Sequence, residues 1–176
     1  MSIGDEITSR VEEGRLFHLP PLIQSQPVAR TMLIGEALVD VVTPPWEQSS
    51  EGHRLSRLRA DLDTFTEGRL ISVAAAPFKK PSSAYIARTY PPTDEIWDIR
   101  SRDPKPAIRV LGCFAETDVF IALAWEYRKP LGGPGSREWR DFIERCKAEW
   151  RKLFPAYGPH KGDDLRDYVS ANFIAV

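Results

Sequence analysis

The stretch EIWDIRSRDPKPAIRVLGCFAETDVFIALAWEYR (residues 95–128) decides how the fold is read. It divides into three strand-like runs, EIWDIRSR (95–102), AIRVLGCF (107–114) and DVFIALAWEYR (118–128), separated by the turns DPKP and AETD. β-Branched and aromatic runs bounded by Pro and Asp at this spacing predict two successive hairpins. A four-residue turn at 103–106 sets Arg100 opposite Arg109 and Arg102 opposite Ala107. Like charges directly opposite each other destabilise a sheet, so this pairing calls for an anion or for neighbouring acids.

Register turns that pattern into chemistry, because successive strand residues point to opposite faces. An even loop at AETD pairs Phe114 with Val119, Arg109 with Ala124 and Val110 with Leu123. One surface then collects Trp97, Ile99, Ile108, Val110, Phe114, Val119, Ile121, Leu123 and Trp125, the side expected to lie under helices. The other collects Arg100, Arg102, Arg109, Ala122, Ala124, Glu126 and Arg128. Guanidinium groups bind oxyanions in bidentate fashion and stay charged when partly desolvated, and small alanines leave space above them. Such a face suits phosphates. The competing reading is an ordinary solvated face where Asp98, Asp103 and Glu126 pair the arginines, each exposed pair worth about 0–1 kcal/mol.

On either side of this stretch the punctuation is of the same kind. RLISVAAA (69–76) and SAYIARTY (83–90) read as two further strands, joined by FKKPSS. Leu55, Leu58, Leu62 and Phe65 follow helical spacing, and Gly68 sits where a left-handed residue ends a helix, which predicts a helix over about 53–67. Beyond LGGPGS, Ser136 is placed to cap a second helix whose stripe is Trp139, Phe142, Ile143, Cys146, Trp150 and Leu153. That stripe reads as core. DYVSANF near the end reads as an added edge strand or a docked tail. The expected fold class is α+β, an antiparallel β-meander sheet packed on one face by amphipathic helices. Residues 51–176 form the expected single domain. Residues 1–50 read as an acidic, Pro-rich extension, with TMLIGEALVDVV giving a strand over about 33–42.

Composition narrows the class. With 42% hydrophobic residues in 176, the chain can bury a core. No run approaches the roughly 18 apolar residues of a membrane span, and MSIGDEITSR lacks a signal-peptide core. Cys113 and Cys146 have neither CxxC spacing nor nearby ligands, so a reduced, cytoplasmic chain without metal or other cofactor is expected. The net charge is −1, unlike a simple nucleic-acid binder. It is unevenly spread: residues 1–50 hold three Arg and seven acids, and the rest 21 bases and 18 acids.

EIWDIR, a short turn, IRVLGCF, DVFIALAWEYRKPL and the closing amphipathic helix resemble the RelE/ParE superfamily of toxins, in its HigB-like, phage-associated branch, over about residues 95–154. The resemblance implies a RelE-like sheet packed on helices, a metal-independent mRNA endonuclease acting on the ribosome, and a cognate antitoxin as partner. Site residues follow by matching positions. Arg100 and Arg109 would stabilise phosphoryl charge, Arg128 and Lys129 correspond to the basic pair after the central strand, and Tyr127 or Lys129 would carry protons. Arg102 and Lys105 would bind the RNA. Tyr127 has the parity of the apolar face and joins the arginines only through a bulge. The alternatives are a non-catalytic protein- or nucleic-acid-binding module on the same scaffold, or an accessory protein of a mobile element.

Overall fold

The computed structural model describes residues 1–176, in the order α1 (Ile3–Glu12), β1 (Leu16–His18), β2 (Thr31–Gly35), α2 (Glu36–Val42), α3 (Ser50–Thr66), β3 (Ile71–Ala74), β4 (Ile86–Arg88), β5 (Trp97–Ser101), β6 (Ile108–Glu116), β7 (Val119–Tyr127), α4 (Arg137–Leu153) and β8 (Phe173–Ala175). Both hairpins of the opening stretch form, with Arg100 paired to Arg109. Both long helices begin where a serine can cap them. Ser49 accepts from the Gly52 amide at 3.0 Å, and Ser136 from that of Trp139 at 3.1 Å. Gly68 ends α3 at φ 70°.

The expectation of a purely antiparallel meander is overturned. All eight strands form one sheet in the order β1-β2-β7-β6-β5-β4-β3-β8, and three of its pairings are parallel: β2 with β7, β3 with β4, and β3 with β8. The cause lies in the connections. Residues 75–85 carry the chain back along β3 before β4 begins, so β4 runs in the same direction as its predecessor. TMLIGEALVDVV is strand only as far as Gly35, whose extended backbone precedes α2, with Glu36 in the first helical turn suiting the dipole. Residues 1–50, expected as an extension, therefore supply β2 between β1 and β7, and α2 with buried Leu38 and Val42.

A second correction concerns the layers. Helices cover both faces of the sheet. Leu58, Leu62 and Phe65 of α3 pack with Trp97, Ile99, Val110, Phe114 and Phe120 on one side. Phe142, Cys146, Trp150 and Leu153 of α4 pack with Leu111, Cys113, Ile121 and Leu123 on the other. A central strand that is apolar on both faces has to be shielded from water on both, and VFIALAW is such a strand. α1 joins the second layer through Ile3, Ile7 and Val11, and Arg10 Nε donates to the Leu153 carbonyl at 2.8 Å. No helix is long and apolar enough to cross a membrane.

The expected register of the second hairpin also changes. Arg109 lies opposite Glu126 rather than Ala124, and Val110 opposite Trp125 rather than Leu123. The ladder then slips between Leu111 and Gly112 and again near the turn, so that Phe114 meets Phe120. One extra residue on a strand flips every later side chain. Val119, Ile121 and Leu123 consequently face α4, while Phe120 and Ala122 face α3. Gly112 permits the slip. A Cβ there would meet the Ile121 carbonyl oxygen at 2.1 Å and the Phe120 ring at 2.7 Å.

Candidate functional site

Asp98 and Arg100 alternate with Trp97 and Ile99 along β5, so the two charged side chains share the α4 side of the sheet. Arg109 on β6 joins them through the register of the first hairpin. The like-charged pair is bridged by the acid. Asp98 Oδ2 accepts from Arg100 Nε at 3.1 Å and lies 3.3 Å from Arg109 Nε. Lys80, from the segment between β3 and β4, stands 3.9 Å from Oδ1. Three cations thus share one carboxylate whose side chain is only 2% exposed.

One carboxylate stands against three cations. Its Oδ1 is buried without a hydrogen-bond partner, Lys80 Nζ stopping 3.9 Å away, and Glu126, opposite Arg109, turns elsewhere. Its Oε1 accepts from the Tyr127 amide at 2.9 Å, and its Oε2 lies 3.7 Å from Arg145. Burial lowers the pKa of Arg109 to about 10; Asp98 opposes the shift, while Arg100, Arg128 and Arg102 add to it. Lys80 is also pushed below its ordinary value, by burial first and then by Arg100 and Arg109. In both cases desolvation is the larger cause, and the neighbouring guanidinium groups add to it.

Arg100 further donates to the Pro81 carbonyl at 2.9 Å and borders a cleft of about 260 Å³. Arg57 and Arg102 line the same cleft, together with Ser72, Ser83 and Asp103. Arg57 Nε is 3.3 Å from Asp61, itself a cleft residue that accepts from Ser101 Oγ. Guanidinium groups and serine hydroxyls around a small polar hollow can take an oxyanion.

The other predicted site residues divide between this cluster and places outside it. Arg128 lies close enough to depress Arg109, while its own Nη1 donates to the Gly132 carbonyl at 2.6 Å. Lys129 is exposed and opens a helical turn over 129–131 whose Leu131 is buried. Lys105 is exposed at the hairpin tip, where it donates to the Arg102 carbonyl at 3.0 Å and stands 3.8 Å from Asp103. Tyr127 is on the opposite face: its ring packs on Trp125 and its hydroxyl donates to Glu51 at 3.2 Å. The slip in the ladder falls before that strand end, so Tyr127 keeps its predicted parity and stays away from the arginines. His160 meets the Asp167 carbonyl at 2.9 Å, His18 lies on β1 and His53 on α3, none of them beside Asp98.

Lys80 was missing from the sequence reading. Its only signal is two consecutive lysines beside a proline in a connection, and nothing in that pattern says which strand the connection lies over. Also missing were three arginines built into the frame. Arg30 donates to the carbonyls of Phe65, Arg69, Ala171 and Asn172, and Arg59 to that of Val42 and to Asp63. Arg54 donates to the carbonyls of Pro106 and Ser101, pinning the β5–β6 turn to α3. Comparison of the chain with protein-family models, curated proteins and solved structures finds no match in any of the three.

Proposed function

We propose that this protein is a nucleic-acid-binding module that holds phosphates at the cationic end of its sheet and carries no cleaving chemistry. The carrying observation is the charge excess around Asp98, where Arg100, Arg109 and Lys80 share a single carboxylate. Keeping cations desolvated and under-neutralised disfavours the fold, and such an arrangement makes sense where a ligand supplies the missing negative charge. The likeness to RelE/HigB toxins rests on β5, β6, β7 and α4, and kinship with that superfamily belongs to the proposal.

Endonuclease action is the weaker reading. Attack by a ribose 2′-hydroxyl needs a proton acceptor and a donor beside the phosphate-binding groups. Tyr127 is engaged with Glu51 on the other face, Lys129 lies on the turn after β7 and the three histidines lie elsewhere, so Lys80 is the one proton carrier at the cluster where an acceptor and a donor are both needed.

Titration of labelled RNA and DNA across a range of salt tests the proposal. Binding should weaken linearly in log–log form as salt rises, and Arg100→Gln with Arg102→Gln should weaken it without changing the RNA. No binding at low salt would refute the proposal. Expression in a bacterial host tests the alternative: growth arrest abolished by Arg100→Ala and Arg109→Ala would restore the toxin reading.

A further inference from the structure

The most exposed large aromatic side chain of the molecule has a partner that is nearly as exposed. Phe78 is 78% and Tyr90 60% exposed, and their rings lie against each other at 4.9 Å between centroids, tilted by 47°. Isolated exposed apolar residues are ordinary. A matched pair of rings at the end of a strand is less so, and its setting suggests a use.

Phe78 belongs to the segment that lies along β4, and Tyr90 stands two residues past the end of β4. That segment is fastened at three points. The Ala75 carbonyl accepts from Arg88 Nε at 3.1 Å, Lys80 Nζ donates to the Arg88 carbonyl at 3.2 Å, and the Pro81 carbonyl accepts from Arg100. The fastenings lay out a track with the aromatic pair and Lys79 at one end, Lys80 on Asp98 in the middle, and Arg100, Arg102 and the small polar cleft at the other. Counting strand residues from Tyr90 to Ile86, and on from Ile99, which Ile86 faces, to Arg102, the track is about 20 Å long.

The geometry points to a single-stranded nucleic acid on this track, one base stacked on the Phe78–Tyr90 pair and the following phosphates on Lys80 and Arg102, with the buried Arg100 adding its charge from beneath. This rests on the proposed nucleic-acid binding and adds to it the form of the strand. Flat apolar rings next to a row of cations fit a ligand that alternates bases with phosphates. A duplex, whose bases are stacked internally, could use only the cations. RNA and DNA strands share this chemistry.

Fluorescence anisotropy with four labelled probes tests it: a short oligouridylate, the oligothymidylate of equal length, an abasic version of that DNA, and a duplex. In the variant carrying Phe78→Leu and Tyr90→Leu, apolar bulk remains and the aromatic faces are lost. It should bind both base-containing single strands about tenfold more weakly, bind the abasic strand and the duplex unchanged, and keep the wild-type salt dependence. Weakening confined to one of the two strands would support the platform and identify the strand it takes. Unchanged binding of all four probes by the variant would overturn the platform and leave phosphate binding standing. Equal loss on the abasic strand would also overturn it, as the effect would then not depend on bases. Failure of the wild type to bind any probe would remove both proposals.

Discussion

Arg54 of α3 and Arg109 of β6 are both drawn from water beside the β5–β6 hairpin, and they are held in different ways. Arg54 donates to the carbonyls of Pro106 and Ser101 and to Ser101 Oγ, at 2.6 to 2.8 Å. Arg109 has Asp98 at 3.3 Å, shared with Arg100 and Lys80, and a long 3.5 Å contact to its neighbour's carbonyl. Backbone carbonyls accept hydrogen bonds from a guanidinium without bringing a formal charge, so Arg54 acts as a clamp on the turn. Arg54 still leaves its Nη1 buried without a partner, whereas Arg109 leans on one carboxylate that it shares with two other cations. Burial lowers the pKa of both. What separates a structural arginine from a ligand-binding one here is the kind of acceptor, neutral carbonyls in one case and a shared charge in the other.

That contrast can be broken most severely at its hub. Asp98→Asn leaves three cations facing one another without a carboxylate and should lose about 3–5 kcal/mol in urea unfolding, the penalty for breaking a buried ion pair. A loss below about 1 kcal/mol would show that Asp98 does not hold the cluster together. Next comes Arg54→Leu, which strips the Ser101 and Pro106 carbonyls of their donor and should lose about 2–3 kcal/mol. Arg109→Leu sharpens the comparison because the expected outcome is opposite. Stability should stay within about 1 kcal/mol of the wild type or rise, while nucleic-acid affinity falls. Equal losses from Arg54→Leu and Arg109→Leu would erase the distinction.

Smaller effects probe the same excess of charge. Lys80 is held below its ordinary pKa, so between its folded value and the ordinary 10.5 the unfolded chain binds the extra proton. Its contribution to stability therefore rises as pH climbs through that interval. Unfolding of the wild type compared with Lys80→Met over alkaline pH should show the wild type gaining stability relative to the variant as pH rises through that interval. Arg102 is exposed, and Arg102→Gln should change stability by less than about 0.5 kcal/mol yet reduce the salt slope of binding by about 1. An unchanged slope would place Arg102 outside the phosphate path.

Much of the local structure was legible. α3, α4, the three strands of the opening stretch and the Arg100–Arg109 pairing follow from spacing and turn residues, which act over a few neighbours. The slip at Gly112 had a signal, since glycine inside a strand marks a bulge or a close approach. Its direction depended on Phe120 and the Ile121 carbonyl across the ladder. The candidate site was legible in half: Arg100, Arg102 and Arg109 were foreseen on one face, whereas Lys80 comes from a connection whose path the local pattern leaves open.

By itself, then, the amino-acid sequence determined where helices start, where turns fall, and which two arginines meet across the first hairpin, because these depend on backbone propensity and short-range periodicity. Only the tertiary structure decided that the sheet is mixed, that both faces are covered, and that Asp98 stands between three cations. Those outcomes depend on which distant segments bury one another. A connection such as residues 75–85 acquires its role only once it lies over β4.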